Sequence, residues 1–101
     1  MSMFQQLIEC FNNWDEEIFK ELHHEDFMFI RETELLNRDE HVRNIAQLVK
    51  ETSWNWQHIA ILIHENEFVT EARWEENDEV VTNFMVKKNN QIWRALVCRV
   101  E

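Results

Sequence analysis

The chain contains no glycine, no proline and no tyrosine among its 101 residues. Without glycine there can be no phosphate-cradling loop, no dinucleotide fingerprint and no nucleophile elbow, since each needs backbone that other residues resist. Hairpin turns with positive φ then fall to Asn and Asp, which tolerate that region best after glycine. Cysteine is scarce too. Cys10 and Cys98 lie far apart and match no metal or redox spacing. Both sit on apolar stripes, so buried free thiols are expected, and with them a reducing, cytoplasmic setting. No apolar run approaches the roughly 18 residues of a membrane span. The opening Met1-Ser2-Met3-Phe4-Gln5-Gln6 shows neither the basic segment nor the small-residue cleavage site of a signal peptide.

Basic residues are in deficit, 10 against 20 acidic ones, for a net charge of −10. Such a surface repels phosphate backbones and anionic lipid, so neither nucleic acid nor a membrane is expected as a partner. It permits a basic protein partner, and solubility accounts for an acidic coat equally well. What the chain does have is apolar mass. Hydrophobic content of 45%, with five Trp and seven Phe, makes it globular. Residues 1–101 form one small domain, near the lower limit for a self-sufficient core, with no linkers, repeats or low-complexity tracts.

The first half reads as mainly helical. Three helix starts share a capping Ser or Asn with Gln or Glu three residues later: Ser2…Gln5, Asn13…Glu16 and Asn37…Glu40. Phe4, Leu7, Ile8 and Phe11 stripe the first helix. Ile18, Phe19 and Leu22 face inward from a short second one, and Val42, Ile45, Ala46 and Val49 from a third over about Arg38 to Glu51. Between the last two lies a β-rich run, Asp26 to Arg31, with a short strand at Glu34–Leu36. The second half reads as four strands, Trp54–His64, Glu67–Glu75, Glu79–Lys87 and Gln91–Val100, broken at Glu65-Asn66, Asn77-Asp78 and Asn89-Asn90. Helices first and antiparallel strands second predict a segregated α+β domain, three helices against one face of a sheet.

Two-residue hairpin turns would set His64 opposite Glu67, Glu76 opposite Glu79 and Lys88 opposite Gln91. Alternation then sorts the strands into two faces. One holds Thr70, Ala72, Trp74, Val81, Asn83, Met85, Ile92, Arg94, Leu96 and Cys98. The other holds Trp56, His58, Glu71, Arg73, Thr82, Phe84, Trp93, Ala95, Val97 and Arg99. A single bulge would exchange the faces beyond it. Both faces are rich in large apolar side chains, and three short helices cover only one. The uncovered face predicts a homodimer with sheets or sheet edges in contact. Aromatics (Trp56, Phe84, Trp93) mixed with polar groups (His58, Arg73, Thr82, Arg99) are the makings of a small-molecule pocket.

The short acidic helix ends Leu22-His23-His24-Glu25-Asp26-Phe27. The strand Phe27-Met28-Phe29-Ile30, a helix opened by Asn37-Arg38-Asp39-Glu40, and four strands closing on Gln91-Ile92-Trp93-Arg94 follow. This layout resembles the nuclear transport factor 2-like superfamily, and within it the SnoaL-like family. The resemblance implies a curved antiparallel sheet wrapped on helices, a cone-shaped cystatin-like fold enclosing a pocket, with many members homodimeric. It implies isomerase, cyclase or dehydratase activity in some relatives. Their catalytic residues do not carry across: the carboxylate base falls on Arg31 with Glu32 beside it, the oxyanion-hole acid falls near Thr82, and the tyrosine is missing. In those relatives the matching face of the last two strands lines the pocket, here Thr82, Phe84, Trp93, Ala95, Val97 and Arg99.

His58 and Glu71 share a face of neighbouring strands, as a general-base pair or as a satisfied cross-strand contact. Arg73, with Arg99 and Arg31, makes a positive pocket suited to a carboxylate, unless Arg73 is taken by Glu71 or Glu75. His23-His24-Glu25-Asp26 holds metal-ligand residue types, but neighbours at a helix end splay apart. His58 and His64 stand about 20 Å apart along a strand, too far for one ion. Neither metal nor other cofactor is expected. Lys87-Lys88 reads as a solvated strand end. The expected function is a homodimer binding a small molecule, with an anionic one favoured. The alternatives are a small isomerase, cyclase or dehydratase-type enzyme using His58 with Glu71 or Glu32, and an acidic protein-interaction module.

Overall fold

Local side-chain chemistry starts each helix. In the computed structural model, which describes residues 2–101, helix α1 (Met3–Asn12) begins where the Ser2 hydroxyl accepts from the Gln5 amide. Helix α3 (Arg38–Glu51) opens on a full capping box: the Asn37 side chain accepts from the Glu40 amide, and the Glu40 carboxylate accepts from the Asn37 amide. The second helix corrects the expected cap. Asp15, not Asn13, caps α2 (Glu16–Glu21) by accepting from the amides of Glu17 and Ile18, and Asn13 instead closes α1. Ile18, expected to face inward, is exposed, while Phe19 is buried.

The strands are β1 (His23–Arg31), β2 (Glu34–Asn37), β3 (Ile61–Glu65), β4 (Val69–Glu76), β5 (Glu79–Lys88) and β6 (Gln91–Val100), with a short helix α4 (Trp56–Ile59) before β3. They form one six-stranded sheet in the order β2-β1-β6-β5-β4-β3. Every neighbouring pair is antiparallel except β1 and β6, which run parallel. This is the expected α+β architecture, N-terminal helices on a curved sheet, with one parallel pair the sequence reading lacked. Among the described residues, no helix is long and apolar enough to cross a membrane.

Three local features revise the expected strands and register. Trp54–His64 is not a single strand: Trp56 and Ile59 of α4 pack into the core with Ala60 just after it, and only Ile61–Glu65 forms the strand beside β4. The turn after β3 is wider than two residues, because the Asn66 side chain accepts from the amides of both Phe68 and Val69. His64 therefore faces Glu71, not Glu67. The two later turns do hold two residues each. Asn77, Asp78, Asn89 and Asn90 all have φ between 53° and 64°, the type I′ geometry that suits twisted hairpins. Beyond the last turn Lys87 pairs with Ile92 but Val86 pairs with Arg94, so Trp93 is an extra residue, a bulge. From there β6 swaps faces relative to the expected sorting. Ala95, Val97 and Arg99 join Thr70, Ala72, Trp74, Val81, Asn83 and Met85, while Leu96 and Cys98 turn outward.

The core sits between this inner face and the helices. Met3, Leu7 and Cys10 of α1, Phe19 of α2, Val42 of α3 and Trp56 of α4 pack with Ala72, Trp74, Val81, Met85, Ile92, Ala95 and Val97. The outer face has no cover: Val80, Phe84, Leu96 and Val100 are exposed.

Candidate functional site

The concave face does not close completely on the helices. A cavity of about 270 Å³ remains between the inner sheet face, α1, α2, α3 and the Trp54–Trp56 segment. Its inner end is apolar and deep: Leu7, Phe19 and Ile92 line it and are almost wholly buried. Aromatic rings dominate the walls. Phe11 lies 5.4 Å from Trp56 and 5.6 Å edge-on to Trp54, and Trp56 meets Trp74 edge-on at 5.9 Å. The mouth is polar and partly exposed, with Arg31 and Glu34 from the β1–β2 turn, Asn44 of α3, and Glu76 and Arg99 from the ends of β4 and β6.

Two imidazoles stand in the wall. His23 and His41 contact each other at 5.4 Å between ring centroids, with Phe19, Phe27 and Phe29 around them. Burial pushes the His23 pKa down to about 4; its hydrogen bond to the Phe19 carbonyl opposes this and the Arg38 charge adds to it. His41 is also held well below the ordinary value, again chiefly by burial, with His23 and Arg31 adding. Both rings are therefore neutral at pH 7. At the mouth Arg31 holds Glu34 at 2.8 Å. Arg99 is different. The carboxylates of Glu76 and Glu79 lie 3.8 and 3.9 Å from it, and it makes no hydrogen bond among the described residues. Glu76 instead accepts from the Trp74 indole at 3.0 Å. Inside, Asn83 Oδ1 and the Trp54 indole nitrogen are buried without partners among the described residues.

Of the pocket residues expected from sequence, Arg31, Trp56, Ala95, Val97 and Arg99 line the cavity. Arg73, Thr82 and Phe84 lie on the outer face, where the Arg73 guanidinium donates to Thr82 at 3.3 Å and to Glu71 at 3.3 Å. Trp93, displaced by its bulge, is covered by the Arg94 guanidinium at 3.7 Å and the Lys88 ammonium at 5.3 Å, outside the cavity. His58 is exposed on α4, so it and Glu71 do not meet at any cavity. Glu32 is exposed in the β1–β2 turn. The His23-His24-Glu25-Asp26 segment scatters: His23 lines the cavity, whereas His24 accepts from the Asp26 amide. Among the described residues no group of three or more His, Cys, Asp or Glu is placed to hold a metal. Lys87 is not solvated as expected, being buried against Glu65 at 3.1 Å. Cys98 is exposed, not buried, because the bulge turns it outward.

Sequence reasoning missed Trp74, Asn83 and His41. The first two stood on the face that was not read as the pocket, since which side the helices cover is not written in strand alternation. His41 sits one residue before Val42 on the α3 stripe, and that placement was the available signal.

No family model and no curated protein matches the sequence. Solved structures do match its fold. A nuclear transport factor 2-like protein of unknown function from Mesorhizobium loti superposes with a TM-score of 0.69 at 13% identity, over 98% of this chain and 88% of that one. A putative ketosteroid isomerase from Kribbella flavida gives 0.67 at 18% identity, over 98% and 76%. A hypothetical protein with a ketosteroid isomerase-like fold from Catenulispora acidiphila, in complex with trimethylamine, gives 0.60 at 6% identity, over 95% and 83%. The chain has the cone-shaped nuclear transport factor 2-like fold.

Proposed function

We propose that this is a SnoaL-like protein that binds a small, partly apolar, anionic molecule in the inner cavity and works as a homodimer. Arg99 carries the reading. Its side chain is 24% exposed, its donors make no hydrogen bond among the described residues and meet Glu76 and Glu79 only at 3.8 and 3.9 Å, and it stands at the rim of an aromatic-walled cavity. A half-buried guanidinium with open donors is poorly satisfied, and a ligand carboxylate would satisfy it through two parallel bonds. The apolar body of such a ligand lies against Trp56, Trp74 and Phe11. Catalysis by His58 with Glu71 or Glu32 draws no support from their positions. Calorimetry with a panel of small aryl carboxylates tests the reading. Binding should weaken about tenfold or more in Arg99→Met, while the matching neutral amides bind both proteins alike. Failure of every carboxylate to bind the wild type sinks the proposal.

The homodimer rests on the outer sheet face. Phe84 and Leu96 pair across β5 and β6 there, and both are exposed, with Val80 and Val100 beside them. Arg73, on the same face, is already bound to Glu71. An apolar patch of this kind in a chain of net charge −10 suits a second copy of itself better than a basic partner. Light scattering should give twice the chain mass, and Leu96→Asp should give the single mass. A monomeric wild type removes this half of the proposal. The free thiols of Cys10 and Cys98 support a cytoplasmic setting.

A further inference from the structure

Arg99 has a polar neighbour on the inner sheet face. Asn83 of β5 pairs with Val97 of β6, and Arg99 follows Val97 by two residues on the same face. Diagonal neighbours of this kind stand about 7–8 Å apart along the backbone, so the two side chains can meet one small ligand head. Arg31 closes the row of Asn83 and Val97 from β1, and all of them line the cavity. Arg31 is already held by Glu34 at 2.8 Å. The Asn83 amide is not held: its Oδ1 is buried without a partner among the described residues, and no hydrogen bond from its nitrogen is found among them. A primary amide sets a donor and an acceptor side by side. The Trp54 indole nitrogen, on the helix side where Trp54 packs against Phe11, is a further buried donor without a partner among the described residues. The carboxylates at the mouth are engaged, Glu34 by Arg31 and Glu76 by the Trp74 indole at 3.0 Å and Arg99 at 3.8 Å. Their charge opposes a second carboxylate on a ligand. Away from the mouth the next row is Met85 and Ala95, with Phe19 and Ile92 beyond it, all apolar. The open groups near Arg99 are thus several donors and one acceptor, and the acceptor is beside the guanidinium.

We propose that the ligand is a 2-hydroxy monocarboxylic acid with an aryl tail: Arg99 takes the carboxylate, Asn83 Oδ1 accepts from the hydroxyl on the adjoining carbon, and the tail runs past Phe11 and Trp56 into the apolar half. This rests on the reading of the cavity as a ligand site for an anion, and it names which anions. The Asn83 acceptor rejects an acid whose matching group cannot donate, because its own oxygen then stays unpaired. An ammonium in place of the hydroxyl is disfavoured, since a buried cation needs a charged partner and both mouth carboxylates are engaged.

Calorimetry on the full chain with both enantiomers of 3-phenyllactate, 2-methoxy-3-phenylpropionate and phenylalanine, and with 3-phenylpropionate, tests the proposal. The compounds share ring and carboxylate and differ on the carbon between them. One enantiomer of the hydroxy acid should bind about tenfold tighter or better than the methoxy acid, the unsubstituted acid and phenylalanine. That preference should fall to within about twofold in Asn83→Leu, and in Asn83→Ala should the leucine variant not fold. Arg99→Met should instead weaken all the acids together. Equal binding of the hydroxy, methoxy and unsubstituted acids to the wild type overturns the hydroxyl assignment, gives the Asn83 amide to water and leaves the anion site standing. A preference that survives in a folded Asn83 variant places the reading elsewhere and overturns the proposal too. Phenylalanine that binds as well as the hydroxy acid overturns the choice of hydroxyl over ammonium. Binding of none removes the anion site itself.

Discussion

The two faces of the sheet hold similar apolar residues and treat their polar groups in opposite ways. On the outer face, where water could serve, polar groups are paired. Arg73 bonds Glu71 and Thr82, and Arg94 donates to the Asp26 carbonyl at 2.8 Å while stacked on Trp93. On the inner face, where water is scarce, Thr70 Oγ1 and Asn83 Oδ1 have no partner among the described residues and Arg99 meets its carboxylates only at 3.8 and 3.9 Å. Selection for stability alone would reverse this pattern, since an unpaired buried polar atom costs more than an exposed one. The inner face gives up stability around a cavity. The outer face does so by exposing Phe84, Leu96 and Val100. One loss suits a ligand and the other suits a second sheet.

The contrast breaks most sharply at Phe27, which is 1% exposed on the inner side. Phe27→Ala should cost about 3–5 kcal/mol in urea unfolding. Leu35→Ser, at an exposed site on the other side of β2, should stay within about 0.5 kcal/mol. Equal costs would mean that the outer face is as well packed as the inner one. Acid sharpens the contrast next. The unfolded chain protonates His23 near 6.5, whereas the folded one does so only near 4. Between those values the unfolded state binds more protons, so stability is full above 6.5 and falls as pH drops toward 4. His23 alone should remove about 3 kcal/mol across that window, and His41, shifted the same way, adds to it. His23→Phe should flatten the slope by its own share, read from urea midpoints at pH 7, 5.5 and 4.5.

Much of this was legible in the sequence, and the limits have physical causes. Hydrophobic period, capping pairs and Asn turns located the first three helices and the last three strands, because those signals are local. The Asn37…Glu40 box and the Asn77-Asp78 and Asn89-Asn90 turns follow from residues within four positions of each other. The site depends on parity, which is not local. One extra residue at Trp93 moved Ala95, Val97 and Arg99 to the inner face and left Arg73, Thr82 and Phe84 on the outer one. Arg99 therefore lines the cavity alongside strand partners that were expected on the opposite face. Trp56 lines it from a helix instead of a strand. His41 belonged to no motif, since a histidine on an apolar stripe looks the same whether it fills space or faces a ligand.

How the inner face stays closed gives the finest distinction, and it runs through Glu65. This residue of the edge strand β3 accepts from the amides of Met3 at 2.8 Å and Phe4 at 3.2 Å, and from the Lys87 ammonium at 3.1 Å. It ties the N-terminus of α1, whose free amides favour a negative partner, to the far side of the sheet. Burial raises its pKa, but the Met3 amide, Lys87 and the Phe4 amide together outweigh that and hold it below 4.5. The sign follows: its stabilisation is present above 4.5 and is lost as pH falls through the lower folded value. Glu65→Gln keeps the shape and one acceptor oxygen and removes the charge, so it should cost about 1–2 kcal/mol at pH 7. It should also abolish the part of the acid transition below 4.5 while leaving the histidine window between 6.5 and 4 intact. Hydrogen exchange should quicken in α1 and hardly change in β5 and β6. Equal quickening in all three would make Glu65 a general stabiliser and not the tie that keeps the helices on one side of the sheet.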